Sequence, residues 1–164
     1  MYMEKENLII REAEMNDAAS VGLLYYETIS SINKKDYSPE QISVWVSGYD
    51  NIEIWKRKIE EQYFFIAETD NCIAGFGSVT DEGYLDFMFT HKDHQRRGVA
   101  SAIYGKIEDK AKELNIGKIW AKVSITARPF FKKMGFEVTK IYMKKAGDVE
   151  FEDSIMEKVL NNDI

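Results

Sequence analysis

The sequence predicts one α/β domain of the α+β kind, with a mixed, mostly antiparallel sheet flanked by helices. The chain has 164 residues, the size of one ordinary domain, and 45% of them are hydrophobic. Segments rich in aromatic and β-branched residues alternate with segments whose apolar residues recur at helical spacing. Neither an internal repeat nor a linker divides the chain, so residues 1–164 are expected to form a single domain.

The first third of the chain is predicted to be one short strand followed by helices. The run Leu8-Ile9-Ile10 has β-like content, and Asn16-Asp17 can cap the helix that follows. Ser38 precedes a proline and is placed to cap a second helix, with Gln41 completing a capping box. Asn51 can cap a third helix.

The middle of the chain is predicted to form three antiparallel strands. Residues 63–68, 72–80 and 84–90 are rich in aromatic and β-branched residues, and the short segments between them have turn chemistry. Gly75 and Gly77 are expected to weaken or bulge the second strand. Because short turns join neighbouring antiparallel strands, the three strands should form a meander.

A long amphipathic helix is predicted in the second half of the chain. Its apolar stripe consists of Ala100, Ile103, Tyr104, Ile107, Ala111 and Leu114. Gly117 is expected to end the helix, and residues 119–123 alternate as a strand. This strand–helix–strand crossover favours parallel pairing of its two strands. A short helix over 126–134 and a hairpin of strands 136–145 and 149–159 complete the prediction.

Charge and composition exclude several classes of function. The formal net charge is -6, from 22 Lys and Arg against 28 Asp and Glu. This balance argues against nucleic acid as a partner, because clustered Lys and Arg hold phosphate backbones. Cys72 is the single cysteine, which excludes an internal disulfide and a Cys-rich zinc site, and it is expected to be a packing residue.

Metal and membrane sites are not predicted either. His91 and His94 have no evident third ligand, so no metal is expected. No run approaches the ~18 apolar residues of a membrane span. No apolar run follows the N-terminal charges, so no signal peptide is visible. We therefore expect no membrane partner and a cytoplasmic location.

The segment that leads into the long helix has the features of an anion-binding site. Gly98 and Ala100 leave room for a ligand near the backbone, and the first N–H groups of a helix have no intrahelical partner. The helix dipole adds partial positive charge, which suits a phosphate, and Arg96 and Arg97 can reinforce it. Spacing alone leaves a second interpretation open, a loop with a glycine near a helix start and two solvated arginines.

Two motifs resemble the GNAT superfamily of N-acetyltransferases. Residues 95–100, Gln-Arg-Arg-Gly-Val-Ala, resemble its acetyl-CoA motif Q/R-x-x-G-x-G/A. Residues 124–136, Ser-Ile-Thr-Ala-Arg-Pro-Phe-Phe-Lys-Lys-Met-Gly-Phe, resemble its second signature, N-x-x-A-x-x-F-Y-x-x-x-G-F. Residues 10–13 with Asp17 are similar to its opening strand and first helix. The resemblance implies a GNAT-like fold in the order strand, two helices, three strands, helix, strand, helix and two strands.

The resemblance also implies how acetyl-CoA would be held as the acetyl donor. Amides of the turn 95–101 would bind the pyrophosphate, and the preceding strand would pair with the pantetheine arm. The thioester would lie where the strands around 84–90 and 119–124 separate, with a backbone N–H to stabilise the oxyanion. The residues implied to bind the cofactor are Met88, Phe89, Thr90, Gln95, Arg96, Arg97, Gly98, Val99, Ala100, Ser101, Ser124, Ala127, Phe130 and Phe131.

Direct attack of an amine on the thioester needs a base for the ammonium and an acid for the leaving thiolate. Asp86 is the candidate base, although a solvated strand carboxylate is the alternative interpretation. Tyr84, two residues earlier, is expected on the same face as a second catalytic candidate. Tyr37 and Trp45 are expected either to line the acceptor pocket or to belong to the core, since the helices after the first strand shape that pocket in the family.

Two positions depart from the family pattern. Ser124 replaces the usual Asn, and its hydroxyl can still bond to the pantetheine arm. Phe131 replaces the Tyr that often serves as general acid, and phenylalanine cannot donate a proton. This departure keeps two hypotheses open. One is an N-acetyltransferase that acts on a small-molecule or peptide amine, as a monomer or homodimer. The other is a non-catalytic, regulatory acyl-CoA-binding domain of the same fold.

Overall fold

The computed structural model of the chain describes residues 7–70 and 72–160, which form five α-helices and seven β-strands. The helices are α1 (Ala18–Ser31), α2 (Pro39–Trp45), α3 (Ile52–Glu61), α4 (Val99–Glu113) and α5 (Arg128–Lys133). The strands are β1 (Ile9–Glu12), β2 (Tyr63–Thr69), β3 (Cys72–Val79), β4 (Leu85–Thr90), β5 (Lys118–Ser124), β6 (Glu137–Ala146) and β7 (Val149–Val159). Three helices precede β2, where the order implied by the family resemblance has two.

The strands form two antiparallel sheets rather than the single mixed sheet that the sequence predicts. One sheet has the order β1-β2-β3-β4 and the other β5-β7-β6. They meet at one parallel bridge, between Tyr84 and Trp120. The parallel pairing that the crossover predicts is thus limited to a single residue pair. Beyond that pair, β4 and β5 present unpaired edges to each other among the described residues, and a gap separates the two sheets.

Helices cover both faces of the four-stranded sheet. Along β2 the side chains alternate, so that Phe65 packs in a cluster with α4 while Phe64 and Ile66 pack in a second cluster with α1 and α3. The predicted stripe of α4 is buried at Ile103, Tyr104, Ile107 and Ala111, whereas Leu114 is exposed. The helix thereby fixes the position of its own N-terminus against the end of β4.

Glycines in β3 allow α4 to approach the sheet closely. A Cβ on Gly75 would lie 2.9 Å from Val99 Cγ1, and one on Gly77 would lie 2.7 Å from Ile103 Cγ2. The predicted bulge is found beside Gly75, where the register between β2 and β3 shifts at Ala67. A role in helix packing was not predicted for these glycines, because the contacting helix lies more than twenty residues further along the chain.

Substituting alanine for Gly77 should destabilise the fold by about 1–3 kcal/mol, since the extra methyl overpacks the interface with α4. Gly105→Ala is the matched control. Gly105 lies inside α4, and no atom outside the backbone of that helix comes within 4 Å of the position that its Cβ would occupy. This change should stabilise the fold by about 0.5–1 kcal/mol. Urea unfolding measures both. Equal stabilities of the Gly77 variant and the native chain would contradict the close contact.

Helix ends agree with the sequence in one case and differ in three. Asn51 stands at the N-cap position of α3, but its side chain caps no N–H there. Ser38 and Gln41 form the predicted capping box, with N–H···O distances of 3.1 and 2.8 Å. Asp17 precedes α1 but caps no helical N–H, because its carboxylate binds Arg11. The end of α4 is made by Asn115 at φ +59°, two residues before the predicted Gly117. Here the Ile116 N–H returns to the Ala111 carbonyl.

The ion pair between Arg11 and Asp17 should make stability depend on pH. Hydrogen bonding to Arg11 lowers the pKa of Asp17, so the stabilisation is present above the unfolded pKa of about 3.9 and is lost as the pH falls through the folded value. Asp17→Asn should cost about 1–3 kcal/mol at pH 7 and less below pH 4. Urea unfolding at both pH values, with the exposed Asp50→Asn as control, tests this. A cost that does not change with pH would contradict it.

Candidate active site

The turn before α4 is shaped by one side chain and two left-handed residues. The Gln95 Nε2 donates to the carbonyl oxygens of Thr90 at 2.8 Å and His91 at 3.3 Å, which ties the turn to the end of β4. Arg96 has φ +61° and Gly98 has φ +80°. A chain that passes through the left-handed region next to a helix start directs successive N–H groups to one side, a geometry that suits anions.

The start of α4 leaves donors available at this turn. The first intrahelical bond runs from Ala102 N–H to the Gly98 carbonyl at 3.0 Å. The N–H groups of residues 99–101 therefore have no intrahelical acceptor. Apart from the neighbouring residues of the chain, no atom lies within 4 Å of the position that a Cβ on Gly98 would occupy, so the space beside Gly98 is open. Val99 contributes only its backbone here, because its side chain is buried in the core.

The backbone of β4 is only partly available for pairing with a ligand. The His91 N–H that follows it donates to Ala74 of β3, so by alternation the backbone groups of Met88 and Thr90 point to the unpaired edge. The Thr90 carbonyl already accepts from Thr28 Oγ1 at 2.9 Å. Phe89 faces β3, and its ring stacks on Phe76 with centroids 5.5 Å apart. Among the three predicted residues, Met88 offers both backbone groups to the gap.

The second signature places Ser124 at the end of β5 on the other side of the gap. Its Oγ accepts from the Ala127 N–H at 3.2 Å. The Tyr37 hydroxyl accepts from the neighbouring Ile125 N–H at 2.9 Å, which brings two of the predicted site residues together. Phe131 is only 4% exposed and packs on Phe136 with ring centroids 5.1 Å apart. Its side chain is therefore part of the core.

Asp86 lies at a β-bulge on the β4 side of the gap. The register between β3 and β4 shifts between Ser78 and Val79, so that Asp86 is the extra residue. Bulges occur often beside active sites because they redirect a side chain. The Asp86 Oδ2 accepts from Lys58 Nζ at 3.0 Å and from Gln62 Nε2 at 2.7 Å. The carboxylate is thus held and charge-compensated rather than simply solvated.

The network behind Asp86 was not predicted from the sequence. The fully buried Ser78 donates its hydroxyl to Gln62 Oε1 at 2.7 Å, and this bond orients the Gln62 amide toward Asp86. Lys58 belongs to α3, Gln62 comes directly after the end of α3, and Ser78 belongs to β3. Polar residues within predicted strands and helices did not indicate this network in the sequence, because only the tertiary fold brings the three elements together.

Tyr84 joins the two sheets and faces acidic neighbours. Its ring stacks on Trp120 with centroids 4.4 Å apart. Burial raises the pKa of the Tyr84 phenol, and the nearby Asp86, Tyr142 and Asp153 raise it further. The expected proximity of Tyr84 and Asp86 is therefore found. Since the phenol keeps its proton at neutral pH, it can act as a donor rather than as a base.

Aromatic residues close the side of the gap next to α2. Tyr37 contacts Trp45 with ring centroids 5.0 Å apart, and Phe151 of β7 lies 6.3 Å from Tyr37. Tyr37 is buried and Trp45 is half-buried. These two residues, expected at the pocket wall or in the core, therefore lie at the boundary between the core and the pocket wall. The Gln41 side chain donates to the Glu150 carbonyl at 2.7 Å and fastens α2 to β7.

Three further observations concern metal ligands, membrane spans and the cysteine among the described residues. No group of three or more His, Cys, Asp or Glu side chains among them is arranged to hold a metal ion. Within the same residues, no helix has the length and apolar character needed to cross a membrane. Cys72, expected to be a packing residue, is exposed at the start of β3.

The fold defines the class of protein to which this chain is similar. A GCN5-related N-acetyltransferase (aminotransferase, class-II) from Rhodopseudomonas palustris superposes with a TM-score of 0.90 at 22% identity, covering 98% of this chain and 100% of that one. The PaiA N-acetyltransferase from Thermoplasma acidophilum, solved in complex with coenzyme A, superposes with a TM-score of 0.78 at 19% identity, covering 94% and 99%. The fold is that of the GCN5-related N-acetyltransferases.

Sequence comparison then gives the family. The family model of the acetyltransferase (GNAT) domain matches residues 33–151. YafP of Escherichia coli (strain K12), named as an uncharacterized N-acetyltransferase, is 31% identical over 134 residues, which cover 82% of this chain and 84% of YafP. The chain belongs to the GNAT family of acetyltransferases.

Proposed function

We propose that this protein transfers the acetyl group of acetyl-CoA to a primary amine of a small molecule or peptide. The observation that carries the proposal is the gap between β4 and β5. It runs from the turn at residues 95–101, whose geometry suits an anion, to a held carboxylate and a half-buried phenol, Asp86 and Tyr84. A relative of the same fold has been solved with coenzyme A, which supports a nucleotide thioester as the occupant.

The residues at the turn fit a pyrophosphate. The N–H groups of residues 99–101 would donate to it, and the open space in front of Gly98 allows the close approach that a side chain would block. Arg96 and Arg97 add positive charge near the same point. Met88 would pair with the pantetheine arm through its backbone, and Ser124 would face that arm from β5. Acetyl-CoA supplies an activated acyl group when bound.

Proton transfer is assigned to groups at the inner end of the gap. Asp86 would take the proton of the incoming ammonium, directly or through a water, while Lys58 and Gln62 hold its Oδ2 in place. Phe131 offers no hydroxyl for the leaving thiolate. The phenol that lies beside Ser124 is Tyr37, and its pKa is raised by burial, so it is protonated at neutral pH and can serve as the donor in place of the family tyrosine.

The second candidate function is a non-catalytic acyl-CoA-binding domain, and the buried Phe131 is the observation that favours it. A pair of measurements separates the two. Melting with coenzyme A should show stabilisation of about 2.7 kcal/mol at a hundred times its dissociation constant under either hypothesis. Release of free thiol from acetyl-CoA over a panel of amines should occur only for the enzyme. Binding without amine-dependent thiol release would favour the regulatory domain.

A further inference from the structure

Asp153, in the middle of β7, is a half-buried carboxylate that the proposed reaction does not use. Ser154 and Met156 on the same strand are fully buried in the core, so alternation turns Asp153 to the opposite face. That face also carries Phe151, whose ring contacts Tyr37 and Trp45. Asp153 therefore belongs to the aromatic side of the gap.

Strand register places Asp153 next to the thioester end of the proposed donor site. It lies directly opposite Ser124 of β5 on one side and opposite Tyr142 of β6 on the other. Directly opposed residues in an antiparallel pair have Cα atoms about 4.5–5.5 Å apart. Tyr84, on the facing sheet, is within electrostatic reach of both Asp153 and Asp86. Each sheet thus contributes one carboxylate near Tyr84, Asp86 from β4 and Asp153 from β7.

The two carboxylates differ in how their charge is compensated. Asp86 forms an ion pair with Lys58 at 3.0 Å. Among the described residues, the hydrogen-bond donors to Asp153 are neutral: the Tyr142 hydroxyl and the Ser154 N–H, each at 3.2 Å. The nearby cations are Lys144 and Arg128, and Arg128 is bound to Glu152 at 3.0 Å. Burial raises the pKa of Asp153. Burial and the negative charge of Asp153 together raise the pKa of Tyr142 to about 12.

We infer that Asp153 binds a second positively charged nitrogen of the acceptor, so that the preferred substrates are amines carrying another cationic group. The inference rests on the proposed function for the location of the acceptor. One nitrogen must lose its proton near Asp86 before it attacks the thioester. A second nitrogen that stays charged would compensate Asp153 at the opposite side of the gap. A monoamine satisfies only one of the two carboxylates.

The test compares butane-1,4-diamine with butylamine, which share a chain length and differ by one cationic group. Calorimetry on the protein saturated with coenzyme A measures their binding without requiring turnover. The native chain should bind the diamine at least tenfold more tightly. Asp153→Asn, which keeps the shape and hydrogen-bonding capacity of the side chain, should remove that preference and leave butylamine binding unchanged. Asp148→Asn, at the exposed turn between β6 and β7, removes the same charge and should leave the preference intact.

The melting shift with coenzyme A verifies that the Asp153 variant is folded and that its donor site is intact. A native chain without preference for the diamine, or a variant that keeps the preference, would overturn the inference. A variant whose binding of butylamine also falls below the native value would overturn it as well, because that loss would indicate a general structural role. The proposed function fails separately: if the preference depends on Asp153 but neither amine releases thiol from acetyl-CoA, the site binds diamines without acetylating them.

Discussion

Replacing Gly98 with aspartate is expected to weaken coenzyme A binding by about two to three orders of magnitude. The new carboxylate would enter the open space beside Gly98. The pyrophosphate is proposed to bind there, at the N–H groups of residues 99–101. Two like charges about 4 Å apart repel by about 4 kcal/mol at an effective dielectric constant of ~20, which corresponds to roughly a thousandfold in affinity. Isothermal calorimetry and the melting shift with coenzyme A measure the loss.

Two control variants separate charge from backbone strain. Gly98→Asn has nearly the same shape without the charge, and asparagine tolerates the left-handed conformation better than most residues. It should bind coenzyme A more tightly than the aspartate variant does. Gly147→Asp adds the same side chain at another left-handed glycine with open surroundings, φ +63°, in the turn between β6 and β7. That variant should bind like the native chain. A folded Gly98→Asp protein with native affinity would show that the pyrophosphate lies elsewhere.

Replacing Asp86 with asparagine is expected to lower turnover by ~10²–10⁴-fold, the usual contribution of a general base. Coenzyme A affinity should stay close to the native value, because Asp86 is distant along β4 from the turn that is proposed to bind the pyrophosphate. The loss should appear in kcat rather than only in the KM of the amine, since the proposed role is proton removal. Steady-state thiol release at several amine concentrations measures both constants.

The network around Asp86 supplies the comparison variant. Ser78→Ala removes the hydroxyl that orients Gln62 but leaves the carboxylate and Lys58 in place. Its effect on kcat should be much smaller than that of the Asp86 variant. If Asp86→Asn keeps native kcat, the base is another group. If it raises only the KM of the amine, Asp86 binds the cationic acceptor and does not take its proton.

Features encoded within a short segment were predictable from the sequence. The strand, turn and helix around residues 84–113 form as expected, because Gly98, the apolar stripe of α4 and the turn residues all act on their immediate neighbours. The capping box of Ser38 and Gln41 is equally local. The local structure at the proposed cofactor site could therefore be predicted, since its proposed donors belong to one turn and the start of one helix.

Features that depend on the packing of distant segments were not predictable. The strands divide into two sheets because the parallel bridge between the described strands of the two sheets is limited to Tyr84 and Trp120. The periodicity of the sequence does not show where such pairing stops. Asp17 was expected to cap a helix. Its carboxylate instead accepts two charge-assisted hydrogen bonds from Arg11 on β1. Asp153 was missed because its place opposite Ser124 is fixed only by the register of β5 and β7.

The proposed acetyl transfer is tested most directly by the stoichiometry of the reaction. Protein, acetyl-CoA and butane-1,4-diamine are incubated together, free coenzyme A is measured by its thiol, and acetylated amine is measured by mass spectrometry. We predict one acetylated amine for each thiol released, at a rate that requires both the protein and the amine. Thiol release without acetylated amine, or no release above the protein-free rate with any amine of the panel, would contradict the proposed function.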